Sequence, residues 1–315
     1  MVRSLYISNS KRYMKKKIYF VAIILFIVFG FDIMIGAVSK QAIKSVNDVG
    51  LNQTNSAQAL FKRKADVLIL GSSRANHSFV CSILEKELGL SCYNAGRDGM
   101  NIMYDGMIFF SYLQRYRPKM LVLDIGGSML DSSWNETWKE MICFYGMAAP
   151  LDQIIDSIAS NIQKIQLQSS IYRYNKSWEL ILKASFSKDM SDLNGYRPLP
   201  VQVDHPKTPQ ITKGSFKEDN GNVEMLSRII DECKKYNIKV VLTYTPSLSI
   251  DYGNFAFFLS QYGRKKDVIV LDWNGDEKFT THPEWFYDMG HLNSDGAIAF
   301  TYDFISRLRE NKEGM

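Results

Sequence analysis

The strongest hydrophobic signal lies near the start of the chain, over residues 18–38. That is roughly 20 residues, the length of helix that crosses a hydrocarbon core about 30 Å thick. Asp32 is its only charge and lies past the middle, where a helix carries it toward the interface or a partner helix. Residues 39–63 are polar and mixed, and read as a membrane-proximal stalk. From Lys64 the pattern changes. An apolar run at 66–70, stopped by Gly71, predicts a buried parallel strand. Helical spacing over 78–88 ends at Gly89, a second short strand is expected at 91–94, and a helix over 102–116 exits at Pro118. A further buried strand at 120–125 runs into Gly126-Gly127.

A long interval then departs from this rhythm. Residues 138–187 read as mostly helical, with Pro150 as a break. Residues 193–221 carry Pro198, Pro200, Pro206 and Pro209 among polar residues and read as a long loop. Strands and helices resume at 223–236, 239–244, 254–262 and 268–271, and a last helix is expected over 294–310. Strands alternating with helices predict an α/β fold, a parallel sheet covered on both faces. The organisation expected is a basic tail (1–17), a transmembrane helix (18–38), a stalk (39–63) and one domain (64–315) with a helical and loop insertion at about 130–220. There is no internal repeat.

Charge changes the picture at the N-terminus only. Arg3, Lys11, Arg12, Lys15, Lys16 and Lys17 carry six positive charges, while the whole chain has a formal net charge of +5. The body is therefore close to neutral, which argues against a nucleic-acid surface. The flanking lysines place the N-terminus inside and the body outside. A cleaved signal peptide competes, with Ala37-Val38-Ser39 as a weak cleavage site, but the apolar run exceeds the usual core of about 7–15 residues. The expected location is the cytoplasmic (inner) membrane, single-pass, with an extracytoplasmic or periplasmic domain. Cys81, Cys92, Cys143 and Cys233 permit one or two disulfides on that side, or remain buried thiols; spacing does not choose. No Cys-x-x-Cys pair suggests a metal site.

Two distant motifs carry the candidate chemistry. Gly71-Ser72-Ser73 follows the first strand, and Asp288-Met289-Gly290-His291 lies near the C-terminus. A serine at a strand-to-helix turn is exposed at the carboxyl edge of a sheet, beside helix N-terminal amides that stabilise an oxyanion. Serine there also serves simply as a helix cap. A hydroxyl needs a base before it attacks. His291 is that base, and Asp288, three residues earlier, reaches back to fix its tautomer. Gly71-Ser72-Ser73-Arg74 lacks the glycine-rich fingerprint of a nucleotide site. Arg74 either holds an anionic substrate or pairs with Asp98. Trp285, just before Asp288, either lines a substrate groove or packs.

These motifs and their order resemble the SGNH (GDSL-like) hydrolase superfamily, over roughly residues 64–315. The resemblance implies a three-layer α/β/α sandwich of SGNH or flavodoxin-like type, preceded by the one transmembrane helix. It also implies Ser73 as nucleophile, Asp288 as orienting acid and His291 as base, with no cofactor or metal. Asn94-Ala95-Gly96-Arg97-Asp98-Gly99 resembles the second family block, which implies an oxyanion hole of the Ser73 and Gly99 amides, with Gly96 as the second choice. The third block, usually Gly-x-Asn-Asp, reads Gly126-Gly127-Ser128-Met129 here. Ser128 stands where the asparagine donor is expected. Single-span members are similar to proteins that work beside membrane-bound O-acyltransferases, such as the D-alanylation protein of teichoic-acid synthesis and the alginate acetylation proteins. The expected function is therefore an O-acyltransferase or acylesterase for an envelope polysaccharide, working through an acyl-serine. The expected partners are the polysaccharide or acyl donor and a membrane-bound O-acyltransferase. The alternative is an inactive SGNH-like scaffold that binds glycan or such a partner.

Overall fold

The computed structural model describes residues 2–48, 50–132, 136–175, 177–187, 189–201, 208–212, 216–251 and 253–313. His205 and Pro206, in the predicted loop, lie outside them. Helix α1 (Val2–Ser45) is continuous through the predicted tail, span and start of the stalk. A helix satisfies its backbone in lipid and in water alike, so nothing in the backbone marks positions 17 or 38. It is long and apolar enough to cross a membrane.

The predicted stalk is not a free stalk. Helix α2 (Asn52–Phe61) packs into the body, with Thr54 through Leu60 buried. Its polar residues find partners inside. Asn55 Nδ2 donates to the carbonyls of Asn94 and Gly96, at 3.2 and 3.1 Å. Gln58 Nε2 donates to the Val46 carbonyl at 2.7 Å, and Asp48 pairs with Arg197 at 2.5 Å. Polarity here reflects buried, satisfied groups rather than solvent.

The strands are β1 (Val67–Gly71), β2 (Cys92–Asn94), β3 (Met120–Asp124), β4 (Gln210–Thr212), β5 (Lys239–Tyr244), β6 (Ser249–Asp251) and β7 (Ile269–Asp272). Five form a parallel sheet in the order β2-β1-β3-β5-β7. β4 and β6 form a separate parallel pair that sequence reading missed. The order reverses between β1 and β3, which is where doubly wound sheets open a crevice beyond their carboxyl ends.

Side chains alternate between two cores. Leu68, Leu70, Leu121, Leu123 and Leu242 face one; Val67, Ile69, Val122 and Val241 face the other. The first core is covered by α2, α5 (Ile102–Leu113), α7 (Ala149–Ile158), α11 (Asn220–Lys235) and α12 (Phe255–Lys265). The second is covered by α4 (Cys81–Leu88), α13 (Glu277–Thr280) and α14 (Ser294–Glu313), which packs Phe300, Phe304 and Leu308. Short helices α3 (Ser73–Ser78) and α6 (Gly127–Leu130) follow β1 and β3, and α8 (Asn161–Gln166), α9 (Ser170–Tyr174) and α10 (Ser177–Phe186) belong to the insertion. Pro150 begins α7 rather than breaking a helix, because a first-turn residue needs no amide donor. The helix expected over 78–88 is α4, which starts at Cys81 and ends at Gly89, and Phe79-Val80 separates it from α3. The break between α3 and α4 is held from outside: Asn94 Nδ2 donates to the Phe79 carbonyl, and the Val80 amide donates to Thr301 Oγ1. The Sγ atoms of Cys81 and Cys92 lie 2.6 Å apart in the second core, while Cys143 and Cys233 lie in the first.

Candidate active site

Gly71 ends β1 at φ +139°. A side chain there would place its Cβ 2.6 Å from the Asp124 carbonyl oxygen and 2.8 Å from Ala75 Cβ. Only glycine lets the chain turn this close to β3. Ser72 then takes the N-cap position of α3 without a side-chain capping bond, and Ser73 is the first residue of the helix. The Ser73 amide therefore has no intrahelical acceptor and points out from the helix N-terminus.

The C-terminal loop is built to aim an imidazole at this spot. Asp288 Oδ1 accepts from the amides of Gly290 (2.8 Å) and His291 (2.9 Å), closing a tight turn. The Tyr287 amide donates to the His291 carbonyl, and Asn293 ties the loop to the Glu284 and Trp285 carbonyls. From the other side, Ser247 Oγ and the Leu248 amide donate to the Met289 carbonyl. The result is a relay. His291 Nε2 lies 2.7 Å from Ser73 Oγ, and Nδ1 lies 2.9 Å from both Asp288 oxygens. With Nδ1 protonated toward the carboxylate, Nε2 is free to accept the serine proton. Burial works against the Asp288 charge, but the His291 and amide bonds outweigh it and hold the carboxyl below its usual range.

The predicted oxyanion donors follow the carboxyl ends of β1, β2 and β3, the neighbouring strands of the sheet. Gly99 sits at φ +70° in the turn after β2, and among the described residues its amide makes no hydrogen bond. Gly96, the second choice, is engaged: its amide donates to Asn94 Oδ1 at 3.0 Å. Ser128 is the second residue of α6, at the carboxyl end of β3 beside β1, and is half-buried. Trp285 stacks on His282 with centroids 4.2 Å apart and meets Phe279 edge-on.

Arg74 does not pair with Asp98. It faces Asp124 at 3.9 Å, lies over the Tyr244 ring at 4.7 Å and fills the space beside Gly126. Asp98 is taken by other partners that sequence reading left aside. It accepts from Asn76 Nδ2 at 2.8 Å and Asn52 Nδ2 at 3.4 Å, and faces His77 Nε2 at 3.2 Å. Burial opposes its charge, yet the His77 and Asn76 bonds bring the carboxyl down to about 2. His77 also bonds the Arg197 carbonyl through Nδ1 at 2.7 Å, and its ring meets that of His291 edge-on at 5.8 Å. His77 is four residues from Ser73 and so shares its helix face, which was the one available clue. Asn52 and Arg197 gave none, being distant in sequence.

Two buried carboxyls underlie the turn. Asp105 accepts from the Gly71 amide at 3.0 Å, and burial drives its carboxyl well above the usual range. Asp124 is also raised by burial, with Arg74 and the Thr243 and Thr245 bonds opposing. Among the described residues no group of three or more His, Cys, Asp or Glu side chains is placed to hold a metal. No family model matches the chain, and no curated protein matches it.

Proposed function

We propose that this protein is a membrane-anchored serine esterase or O-acyltransferase of SGNH type, acting on a cell-envelope polysaccharide. The observation that carries the reading is the Ser73–His291–Asp288 relay at the topological switch of the sheet. His291 takes the Ser73 proton as Oγ attacks an acyl carbonyl. The oxyanion forms against the amides of Ser73 and Gly99. Collapse expels the alcohol of the donor, which receives the proton from His291 and leaves an acyl-serine. His291 then deprotonates a sugar hydroxyl or water, which attacks that ester and frees Ser73. A sugar acceptor makes the protein a transferase; water makes it an esterase. The lysines before residue 18 favour a body outside the cytoplasmic membrane, and a membrane-bound O-acyltransferase is the fitting acyl supplier.

One departure favours a second reading, a scaffold without turnover. Ser128 stands where an asparagine donor is expected, and loss of one oxyanion donor costs about 2.7–4 kcal/mol of transition-state stabilisation. The test is trapping of the full chain with a serine-reactive phosphonate, followed by peptide mapping. Label on Ser73, absent in Ser73→Ala, supports the enzyme. A folded protein without label supports the scaffold.

A further inference from the structure

The insertion presents an apolar surface that the domain itself does not cover. Helix α8 carries a complete capping box between Ser160 and Gln163, yet none of its residues is buried. A six-residue helix that buries none of its residues is marginal in water. Its exposed face holds Ile162 and Ile165, both more than 70% exposed. Ile171 on α9 is exposed as well, and α10 exposes Trp178, Leu182 and Phe186 at successive turns of one face, the last at 89%.

What lies against this surface follows from α1. Asp32, inside the apolar stretch, accepts from Ser169 Oγ (2.8 Å) and the amides of Ser170 (2.8 Å) and Ile171 (2.9 Å). Gly36 lets the α1 backbone approach so closely that any Cβ would collide with Ser170 Oγ. One face of α1 is thus fastened to the first turn of α9, and α10 also packs on α1. Away from that contact Ile33, Met34 and Val38 are exposed, continuous with the exposed apolar surface that begins at Ile18. Lipid that covers Ile33 and Met34 reaches the height of Asp32, and therefore of Ile171. Distance agrees. Ile18 to Asp32 spans about 21 Å of helix at 1.5 Å per residue. That is short of a core about 30 Å thick.

We propose that α8–α10 form a lipid-facing platform, seated in the outer headgroup and acyl boundary of the bilayer that α1 crosses. The inference rests on the reading of α1 as a spanning helix. Helices at this depth bury an apolar face about 5–10 Å into the boundary. The platform satisfies the Asp32 carboxylate at membrane depth through α9 amides rather than a second span. It also fixes the height of the catalytic rim, because α2, which follows α1, reaches Asp98 through Asn52.

The experiment uses the full chain in phosphatidylcholine–phosphatidylglycerol vesicles. Single nitroxides are placed by Ile24→Cys in the span, Ile165→Cys, Ile171→Cys and Leu182→Cys on the platform, and Tyr302→Cys on α14. Accessibility to oxygen and to a water-soluble nickel chelate is measured for each. The platform requires a deep label at 24, lipid-level labels at 165, 171 and 182 with oxygen-to-nickel ratios several-fold above that at 302, and an aqueous label at 302. A deep label at 24 with aqueous labels at 165, 171 and 182 overturns the platform and leaves the span standing. Platform labels shielded from both reagents would mean a protein covers them, which also overturns it. An aqueous label at 24 removes the span and the platform together.

Discussion

Asp288→Asn isolates the least conspicuous member of the relay. The asparagine oxygen retains the bonds from the Gly290 and His291 amides, so the turn should survive. What disappears is the charge beside His291 Nδ1, 2.9 Å away. During attack the imidazole becomes an imidazolium. Opposite charges about 4 Å apart, at an effective dielectric near 20, attract by roughly 4 kcal/mol. The Asp288 side chain is 48% exposed, so solvent screens part of this. We take about 2–4 kcal/mol, a fall of roughly 30- to 1000-fold at 1.36 kcal/mol per decade. The assay is the rate of Ser73 phosphonylation, with hydrolysis of an activated acetate ester alongside and Ser73→Ala as the zero. Because the native carboxyl lies below its usual range, it is charged at neutral pH, and the deficit is read there. A variant within threefold of the native rate, while Ser73→Ala is inert, would refute the relay.

Gly71→Ala combines a positive φ with a Cβ driven onto the Asp124 carbonyl, so chemical denaturation should show a loss of about 2–4 kcal/mol, and a neutral result would show the turn is not as tight as described. Asp105→Asn keeps an acceptor for the Gly71 amide and removes an ionisation that burial opposes. A carboxyl raised in the folded state costs stability as pH rises through its unfolded value, so the variant should gain on the native protein from about pH 4 upward and match it near pH 3; a pH-independent difference in denaturation midpoint would contradict this. On the proposed extracytoplasmic placement of the body, Cys81 and Cys92 should be joined, leaving two cysteines rather than four alkylated in denaturant without reductant, and four alkylated cysteines would exclude the bridge. Asp98→Ala should unfasten the loop that carries Gly99 and lower the phosphonylation rate about tenfold without abolishing it, since the relay itself is untouched.

The alternation of buried strands with helices is written locally. Apolar runs at 66–70, 120–125 and 239–244 announced a sheet buried on both faces, and an apolar stretch of about 20 residues with Asp32 as its one charge announced α1. Ser73, Asp288 and His291 were legible because each lies beside an element boundary that a turn residue marks. Their meeting was not legible, since contact across 218 residues depends on sheet order and loop registry. Tertiary structure alone decided that Asp98 belongs to His77 rather than Arg74, and that Asp32 belongs to α9. It alone decided that residues 52–61, polar enough to pass for a solvated stalk, are a buried helix. Sequence reports whether a side chain favours water; it does not report which distant donor or acceptor takes the place of water, and that substitution determines where polar residues end up.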